Sequence, residues 1–122
     1  MRIILADDQK HTRNGLKAML SASLPGPQIW EAMTGLEVER LADEIQPDLI
    51  LMDIRMPGGD GLSATRQIKA RHPEIRIVVL SLHTDREQDA LAAGADAFVS
   101  KGESPRRLLE AISALAIPPE QP

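Results

Sequence analysis

The chain has 122 residues, a formal net charge of −4, no cysteine and 43% hydrophobic residues, which suffices for one domain whose core needs neither disulfides nor a structural metal. The mild acidic charge argues against a protein that binds the phosphate backbone of nucleic acids, and no apolar run approaches the roughly 18 residues of a membrane span. Because the sequence also lacks a secretory signal pattern and cysteine, we expect a cytoplasmic protein without membrane contact.

Apolar runs alternate with amphipathic stretches along the chain, with no internal repeat and no low-complexity segment. The spacing of the apolar residues switches between that of a buried strand and that of a helix. In chain order, the predicted elements are a strand at residues 2–6, a helix at about 10–22, a strand at 28–31, a helix at about 36–45, a strand at 49–53, a helix at about 61–71, a strand at 76–81, a helix from about 85 to 94, a strand at 97–100 and a helix from 105. This alternation predicts an α/β fold with a doubly wound, five-stranded parallel sheet and five flanking helices.

Local signals mark several of these boundaries. Thr84 begins a Ser/Thr-x-x-Glu pattern, which predicts a capping box at the start of the fourth helix. Gly94 is expected to end that helix in the left-handed conformation that glycine adopts cheaply. Ser104 and Pro105 are expected to supply a cap and a first-turn proline for the last helix. His72, which ends the third helix beside a proline, is expected to be solvated.

Polar side chains stand where four of the predicted strands end. Asp7 and Asp8 directly follow the first strand, and Asp53 ends the third. Ser81 ends the fourth strand, and Lys101 follows the fifth. Because the carboxyl ends of parallel strands lie at one edge of a sheet, where such folds bind ligands, we expect these side chains to converge. A buried carboxylate without compensation is costly, so Asp53 either caps the turn after its strand or has a chemical role.

This order of residues, together with the sequence MDIRMPGGDG at residues 52–61, resembles the receiver domain of two-component response regulators. The similarity extends over residues 2–115, nearly the whole chain. It implies the flavodoxin-like strand order 2-1-3-4-5. The stretches ADDQ at residues 6–9 and RQIKARHP at residues 66–73 look most like receivers attached to LuxR-type helix-turn-helix output domains.

The resemblance implies that Asp53 is the phosphoacceptor and that Mg²⁺ is the cofactor. The implied metal ligands are Asp7, Asp8, Asp53 and the backbone carbonyl of Arg55. Two carboxylates about 4 Å apart repel by roughly 4 kcal/mol at an effective dielectric constant of 20, and a divalent cation reverses the sign of that interaction. Mg²⁺ suits such an all-oxygen site, because it can bridge carboxylates and a phosphoryl group.

The other implied site residues respond to the phosphoryl group. Lys101 would place a positive charge on the phosphoryl oxygens, and Ser81 would move to donate a hydrogen bond to them. Phe98 would then change its packing as the second switch residue. The alternatives for these residues are a snorkelling lysine, a strand-end hydroxyl bonded to the backbone, and a fixed core phenylalanine.

The implied function is a phosphorylation-activated signalling switch rather than an enzyme, with at most weak self-phosphorylation and autodephosphorylation. One alternative is a phosphatase with an aspartate nucleophile. Those enzymes usually carry a second aspartate two residues after the first, where this chain has Arg55. A second alternative is a stand-alone or phosphorylation-independent interaction module. The complete set of acidic, hydroxyl and lysine residues argues against it.

The implied domain organisation is a receiver domain at residues 1–116 followed by a Pro-rich segment at 117–122. This segment is expected to begin a stiff linker, with a frayed C-terminal tail as the alternative. The expected partners are a sensor histidine kinase and a C-terminal output domain or partner protein, with transcription regulation as the expected output. Phosphorylation is also expected to allow homodimerisation. No direct DNA binding by this chain is expected, since it is acidic and has no spare recognition element.

Overall fold

The computed structural model describes residues 1–58 and 60–118. In chain order its elements are β1 (Arg2–Ala6), α1 (Lys10–Ser23), β2 (Gln28–Ala32), α2 (Gly35–Ile45), β3 (Leu49–Asp53), α3 (Gly61–Arg71), β4 (Arg76–Ser81), a 3₁₀ turn (Thr84–Arg86), α4 (Glu87–Ala92), β5 (Ala97–Ser100) and α5 (Pro105–Ala114). No helix in this part of the chain has the length and apolar character needed to cross a bilayer. Gly59 and most of the expected linker, residues 119–122, lie outside the described residues.

The strands form one parallel sheet with the order β2-β1-β3-β4-β5, which confirms the predicted fold. The central strand β3 is almost fully buried until its last residue, Asp53. The strand register pairs Ala6 with Met52, Asp53 with Leu80 and Ser81 with Ser100. The carboxyl ends of the inner strands therefore stop at nearly the same level and form one edge of the sheet.

Helices cover both faces of the sheet and enclose two separate hydrophobic clusters. Alternate residues of each strand point to opposite faces, so Ile4 and Ile50 enter one cluster and Ile3 and Leu51 enter the other. Helices α2, α3 and α4 cover the first cluster, whereas α1 and α5 cover the second. Burial of each large aliphatic side chain stabilises the fold by about 1.5–3 kcal/mol, which makes this sheet a rigid platform for its edge.

The predicted capping box at Thr84 is wrong. The backbone N–H of Arg86 donates to the carbonyl of His83 at 3.0 Å, so Thr84 lies inside a 3₁₀ turn and makes no side-chain cap bond. Helix α4 starts only after this turn. A capping pattern occurs instead before α2. The side chain of Thr34 accepts a hydrogen bond from the N–H of Glu37 at 3.1 Å, and the Glu37 carboxylate accepts one from the backbone N–H of Met33 at 2.8 Å.

Two other boundary predictions need correction. His72 is not solvated, because its side chain is only 17% exposed and its Nε2 lies 2.7 Å from Asp43 Oδ1, which ties α3 to α2. Ser104 occupies the N-cap position of α5 but makes no side-chain cap bond, although Pro105 is the first helical residue as predicted. Gly94 follows α4 with a φ of +106°, as expected for a residue that must be glycine.

Candidate functional site

Three carboxylates meet at the carboxyl edge of the sheet. Asp7 is buried just after β1, Asp8 is the exposed next residue, and the side chain of Asp53 at the end of β3 is 12% exposed. One oxygen from each of the three carboxylates lies within 4.8 Å of the others. They meet because β1 and β3 are neighbours in register, which places the residues that follow Ala6 beside those that follow Met52.

Lys101 supplies the positive charge that faces these carboxylates. Its ammonium group donates a hydrogen bond to Asp7 Oδ2 at 2.8 Å and lies 3.3 Å from Asp53 Oδ2. The backbone N–H of Lys101 bonds to the carbonyl of Ser81 at 3.0 Å, so the end of β4 fixes where the lysine leaves β5. A single ammonium group therefore neutralises only part of the local negative charge.

The electrostatic environment disfavours an ionised Asp53. Burial raises the pKa of Asp53, and the negative charge of Asp7 adds to this rise, while Lys101 and a backbone N–H of Arg55 act against it. Burial works against the charge of Lys101, but the hydrogen bond to Asp7 and the charge of Asp53 outweigh it and raise the pKa of the lysine. A further positive charge at this position would stabilise the ionised form of Asp53.

The loop after β3 holds Asp53 from the other side. The backbone N–H of Gly61 donates to the carbonyl of Ile54 at 2.7 Å, and Asp60 caps α3 by accepting from the N–H of Ser63 at 2.7 Å. A Cβ atom on Gly61 would lie 2.0 Å from the backbone oxygen of Asp53, so only glycine fits there. The N–H of Arg55 donates to Asp53 Oδ1 at 3.4 Å. The use of the Arg55 carbonyl as a metal ligand stays a prediction.

The two expected switch residues lie on neighbouring strands. Ser81 is buried, and its hydroxyl oxygen accepts a hydrogen bond from the N–H of His83 at 2.9 Å, as in the alternative of a strand-end hydroxyl bonded to the backbone. This oxygen can accept that bond and still donate its own proton elsewhere. Phe98 is partly buried, packs against the cluster under α2, α3 and α4, and pairs with Val79, which lies two residues before Ser81.

Arg13 is a site neighbour that sequence reasoning missed. It lies on α1, and its Nη1 donates to the backbone carbonyl of Asp7 at 2.8 Å. The available signal was its spacing, because Arg13 shares the inner face of α1 with Leu16 and Leu20 and a charged residue on that face needs a buried partner.

A cavity of about 780 Å³ opens next to the carboxylates. Its lining includes the polar side chains of Asp53, Ser81 and Lys101 and the apolar side chains of Leu16 on α1 and Leu108 on α5. The site is therefore reachable from solvent and has room for a small molecule.

Comparison with known proteins identifies the family. The sequence model of a family described as the response regulator receiver domain matches residues 3–113. The chain belongs to the response regulator receiver domain family. The match includes the sheet, all three carboxylates and Lys101, so the predicted resemblance is confirmed.

Relatives of this receiver domain are transcriptional regulators by name. It is 38% identical to the uncharacterized transcriptional regulatory protein YhcZ of Bacillus subtilis over 112 residues, which cover 90% of this chain and 52% of that protein. It is also 38% identical to the transcriptional regulatory protein LiaR of Bacillus subtilis over 116 residues, which cover 93% of this chain and 55% of that protein. The chain thus spans about half the length of these curated relatives.

Solved structures of receiver domains have the same fold. A LuxR-family two-component response regulator from Aurantimonas superimposes with a TM-score of 0.86 at 34% identity, covering 93% of this chain and 83% of that chain. A CheY-like receiver domain protein from Methanospirillum hungatei gives a TM-score of 0.85 at 26% identity, covering 93% of this chain and 91% of that chain. The likeness to receivers of LuxR-type regulators is confirmed as well.

Proposed function

We propose that this chain is a phosphorylation-activated switch in which Asp53 accepts a phosphoryl group from the phosphohistidine of a sensor histidine kinase. The observation that carries the proposal is the convergence of three carboxylates within 4.8 Å, with the ammonium group of Lys101 3.3 Å from Asp53. Membership of the receiver family supports it. Asp53 is the acceptor in this proposal because its carboxylate ends the central strand and adjoins the open cavity.

The donor set fits Mg²⁺, whose binding at an acidic pocket is typical of receiver domains. Asp7, Asp8 and Asp53 would hold the ion, together with the backbone carbonyl of Arg55. When bound, the ion supplies the positive charge that lets an anionic phosphoryl group approach the carboxylates. Burial raises the pKa of Asp53, and the charge of Asp7 adds to this rise, so a bound cation would stabilise the ionised carboxylate.

The chain's own residues have separate parts in the transfer. One carboxylate oxygen of Asp53 forms a bond to phosphorus while the P–N bond of the phosphohistidine breaks and its electron pair returns to the imidazole. Lys101 compensates the charge of the phosphoryl oxygens, and Ser81 donates a hydrogen bond to one of them. These contacts pull the end of β4 toward the site, and the change passes to an output domain or a partner.

We also propose that residues 1–116 form the receiver unit of a transcription regulator. Relatives named as transcriptional regulators are about twice as long as the stretch they share with this chain, which supports an output domain in the whole protein. Regulation by that domain, and a homodimer formed on phosphorylation, would follow from the change at the switch. The phosphodonor is a histidine kinase, and no reaction with turnover is assigned to the chain.

Intact-mass spectrometry after incubation with acetyl phosphate tests the proposal. We expect the wild type to gain the mass of one phosphoryl group in the presence of Mg²⁺, and we expect EDTA to abolish the gain. Asp53→Asn should gain none, because it lacks the nucleophilic oxygen. The matched control is Asp60→Asn in the same loop, which is exposed and should react like the wild type, since asparagine also caps helices well.

Phosphorylation of Asp53→Asn, or an unchanged yield in EDTA, would contradict the assignment. A folded wild type that gains no phosphoryl group with acetyl phosphate or with phosphohistidine would also contradict it, and would favour an interaction module that does not depend on phosphorylation.

A further inference from the structure

Arg13 is a buried cation whose position the proposed phosphotransfer does not explain. Its side chain is only 8% exposed, because Arg13 lies on the buried face of α1 and not on the polar outer face of that helix. A buried guanidinium needs close partners to offset the loss of hydration. Arg13 has two of them, and one is a backbone atom of the acidic site itself.

The first partner is the peptide that joins Asp7 to Asp8. Nη1 of Arg13 donates to the carbonyl oxygen of Asp7 at 2.8 Å in a buried hydrogen bond. Asp7 also donates its N–H to the carbonyl of Ala32 at 3.0 Å and accepts from the N–H of Gln9 at 2.9 Å through Oδ1. The arginine thus restrains the one peptide whose orientation sets the directions of both carboxylates.

The second partner holds the guanidinium in place. Nε of Arg13 donates to Glu31 Oε1 at 2.8 Å, and this hydrogen bond is the main reason that the pKa of Glu31 is lowered. Lys17, one turn further along α1, lies 3.4 Å from the other carboxylate oxygen of Glu31 but does not contact Asp7. The planar, forked guanidinium therefore links α1, the end of β1 and β2, which an ammonium group cannot do with the same geometry.

We propose that Arg13 is a positioning residue for the metal site, which orients the Asp7–Asp8 peptide so that both carboxylates face Asp53. This inference rests on the proposed function, because it takes Mg²⁺ as the ion at the three carboxylates. Groups that orient metal ligands typically contribute about 10–100-fold to metal affinity. Arg13 acts here on the backbone rather than on a ligand side chain.

The charge of Arg13 and its hydrogen bond have opposite effects on metal binding. A positive charge beside a cation site weakens binding by Coulomb repulsion, so its removal alone would tighten binding of Mg²⁺. Loss of the hydrogen bond to Asp7 would weaken binding, because the Asp7–Asp8 peptide gains freedom. The sign of the change in affinity therefore identifies which effect dominates.

Isothermal titration of the full chain with MgCl₂ measures this sign. We expect Arg13→Met, which keeps most of the side-chain volume, to bind Mg²⁺ about 10-fold more weakly than the wild type. The matched control is Lys17→Met, which removes the same charge from the same helix and the same Glu31 partner. It should bind Mg²⁺ as tightly as the wild type or more tightly.

Arg13→Lys separates the effect of hydrogen-bond geometry from the effect of positive charge. It also tests the proposal if Arg13→Met does not fold. It keeps the positive charge but cannot bond to Asp7 and Glu31 in the same forked geometry, so we expect weaker binding of Mg²⁺ with a circular dichroism spectrum like that of the wild type. Amide NMR should show displaced signals for Asp8 and Gln9 in this variant before any metal is added.

Equal or tighter Mg²⁺ binding by folded Arg13→Met and Arg13→Lys would overturn the inference and leave the proposed function intact, provided that the wild type binds Mg²⁺. Failure of the wild type to bind Mg²⁺ would overturn both.

Discussion

The surroundings of Asp53 only partly stabilise the negative charge of its carboxylate. Burial raises its pKa above the ordinary value of 3.8, so the folded state binds a proton at Asp53 more tightly than the unfolded state does. The stability that comes from this proton is fully present below the unfolded value and is lost as the pH rises through the folded value. Near neutral pH, without metal, the ionised Asp53 therefore destabilises the fold.

We expect Asp53→Asn to be more stable than the wild type in EDTA at about pH 7, by about 1 kcal/mol, the common scale of single substitutions. Asparagine removes the buried charge, can still accept the hydrogen bond from the N–H of Arg55, and leaves Lys101 paired with Asp7. The gain should shrink as the pH falls and vanish well below 3.8, where Asp53 is protonated in both the folded and the unfolded chain. Urea unfolding at both pH values measures it.

Asp60→Asn serves as the control, because this exposed residue changes charge in the same loop without leaving a buried site. Its stability should differ from that of the wild type by less than about 0.5 kcal/mol. A metal-free Asp53→Asn that is less stable than the wild type at neutral pH would show that Lys101 fully compensates the Asp53 charge.

At the scale of secondary-structure elements, the close approach of α3 to β3 fixes where Asp53 points. Gly61→Ala would place a Cβ atom 2.0 Å from the Asp53 backbone oxygen and 3.1 Å from the Ile54 Cα, and neither atom belongs to a flexible side chain. We expect a loss of about 1–3 kcal/mol or more in the free energy of unfolding. The displaced Asp53 should also lower the phosphorylation yield measured by mass spectrometry.

Gly15→Ala is the matched control for this substitution. Gly15 lies inside α1, and a Cβ atom added there would meet nothing within 4 Å, so alanine should stabilise the helix by about 0.5–1 kcal/mol. If Gly61→Ala unfolds at the same urea concentration as Gly15→Ala, then α3 can move away from β3 without cost and does not position Asp53.

Strands β1, β3, β4 and β5 were predictable from sequence because each contains a short apolar run bounded by polar residues, proline or glycine, as in β3 between Pro47 and the Pro57 turn. The start of α4 was less predictable, since the same capping pattern occurs at Thr34 and at Thr84. Only Thr34 has the extended backbone that a cap requires, whereas Thr84 is drawn into a 3₁₀ turn. The path of the chain after β4 decides this, and no local pattern encodes it.

The convergence of Asp7, Asp53 and Lys101 was predictable for a different reason. Parallel topology brings strand ends together whatever the details of side-chain packing. The partners of Arg13 and His72 could not be read in this way, because Glu31 and Asp43 are 18 and 29 residues distant in sequence and meet them only after the helices dock. Their contacts depend on how far each helix is rotated about its own axis, and the spacing of apolar residues determines this rotation only approximately.

At the scale of the whole molecule, the proposed switch connects the acidic edge to the surface made of α4, β5 and α5. Bound beryllofluoride, a phosphoryl mimic, should draw the Ser81 hydroxyl toward Asp53 and away from its bond to His83. The repacking of Phe98 should then shift amide NMR signals of residues 85–93 and 106–113 in the wild type, alongside those near Asp53.

Ser81→Ala and Phe98→Ala test the two links of this coupling. Ser81→Ala should keep the shifts around Asp53 but lose most of those in α4 and α5. Phe98→Ala should weaken the α4 and α5 shifts while Ser81 still responds. Signals of residues 85–93 and 106–113 that stay in place in the wild type would mean that Phe98 is a fixed core residue and that the output uses another surface.

Helix α4 has only six residues, begins after a 3₁₀ turn without a side-chain cap, and buries Ala90 as its one anchor. By contrast, α2 has eleven residues and a capped start. Segments with so few buried apolar contacts open locally at a small fraction of the global unfolding free energy. Amide protons of α4 should therefore exchange with deuterium long before those of β3, so the surface that the proposed switch alters can change its shape while the sheet beneath it stays folded.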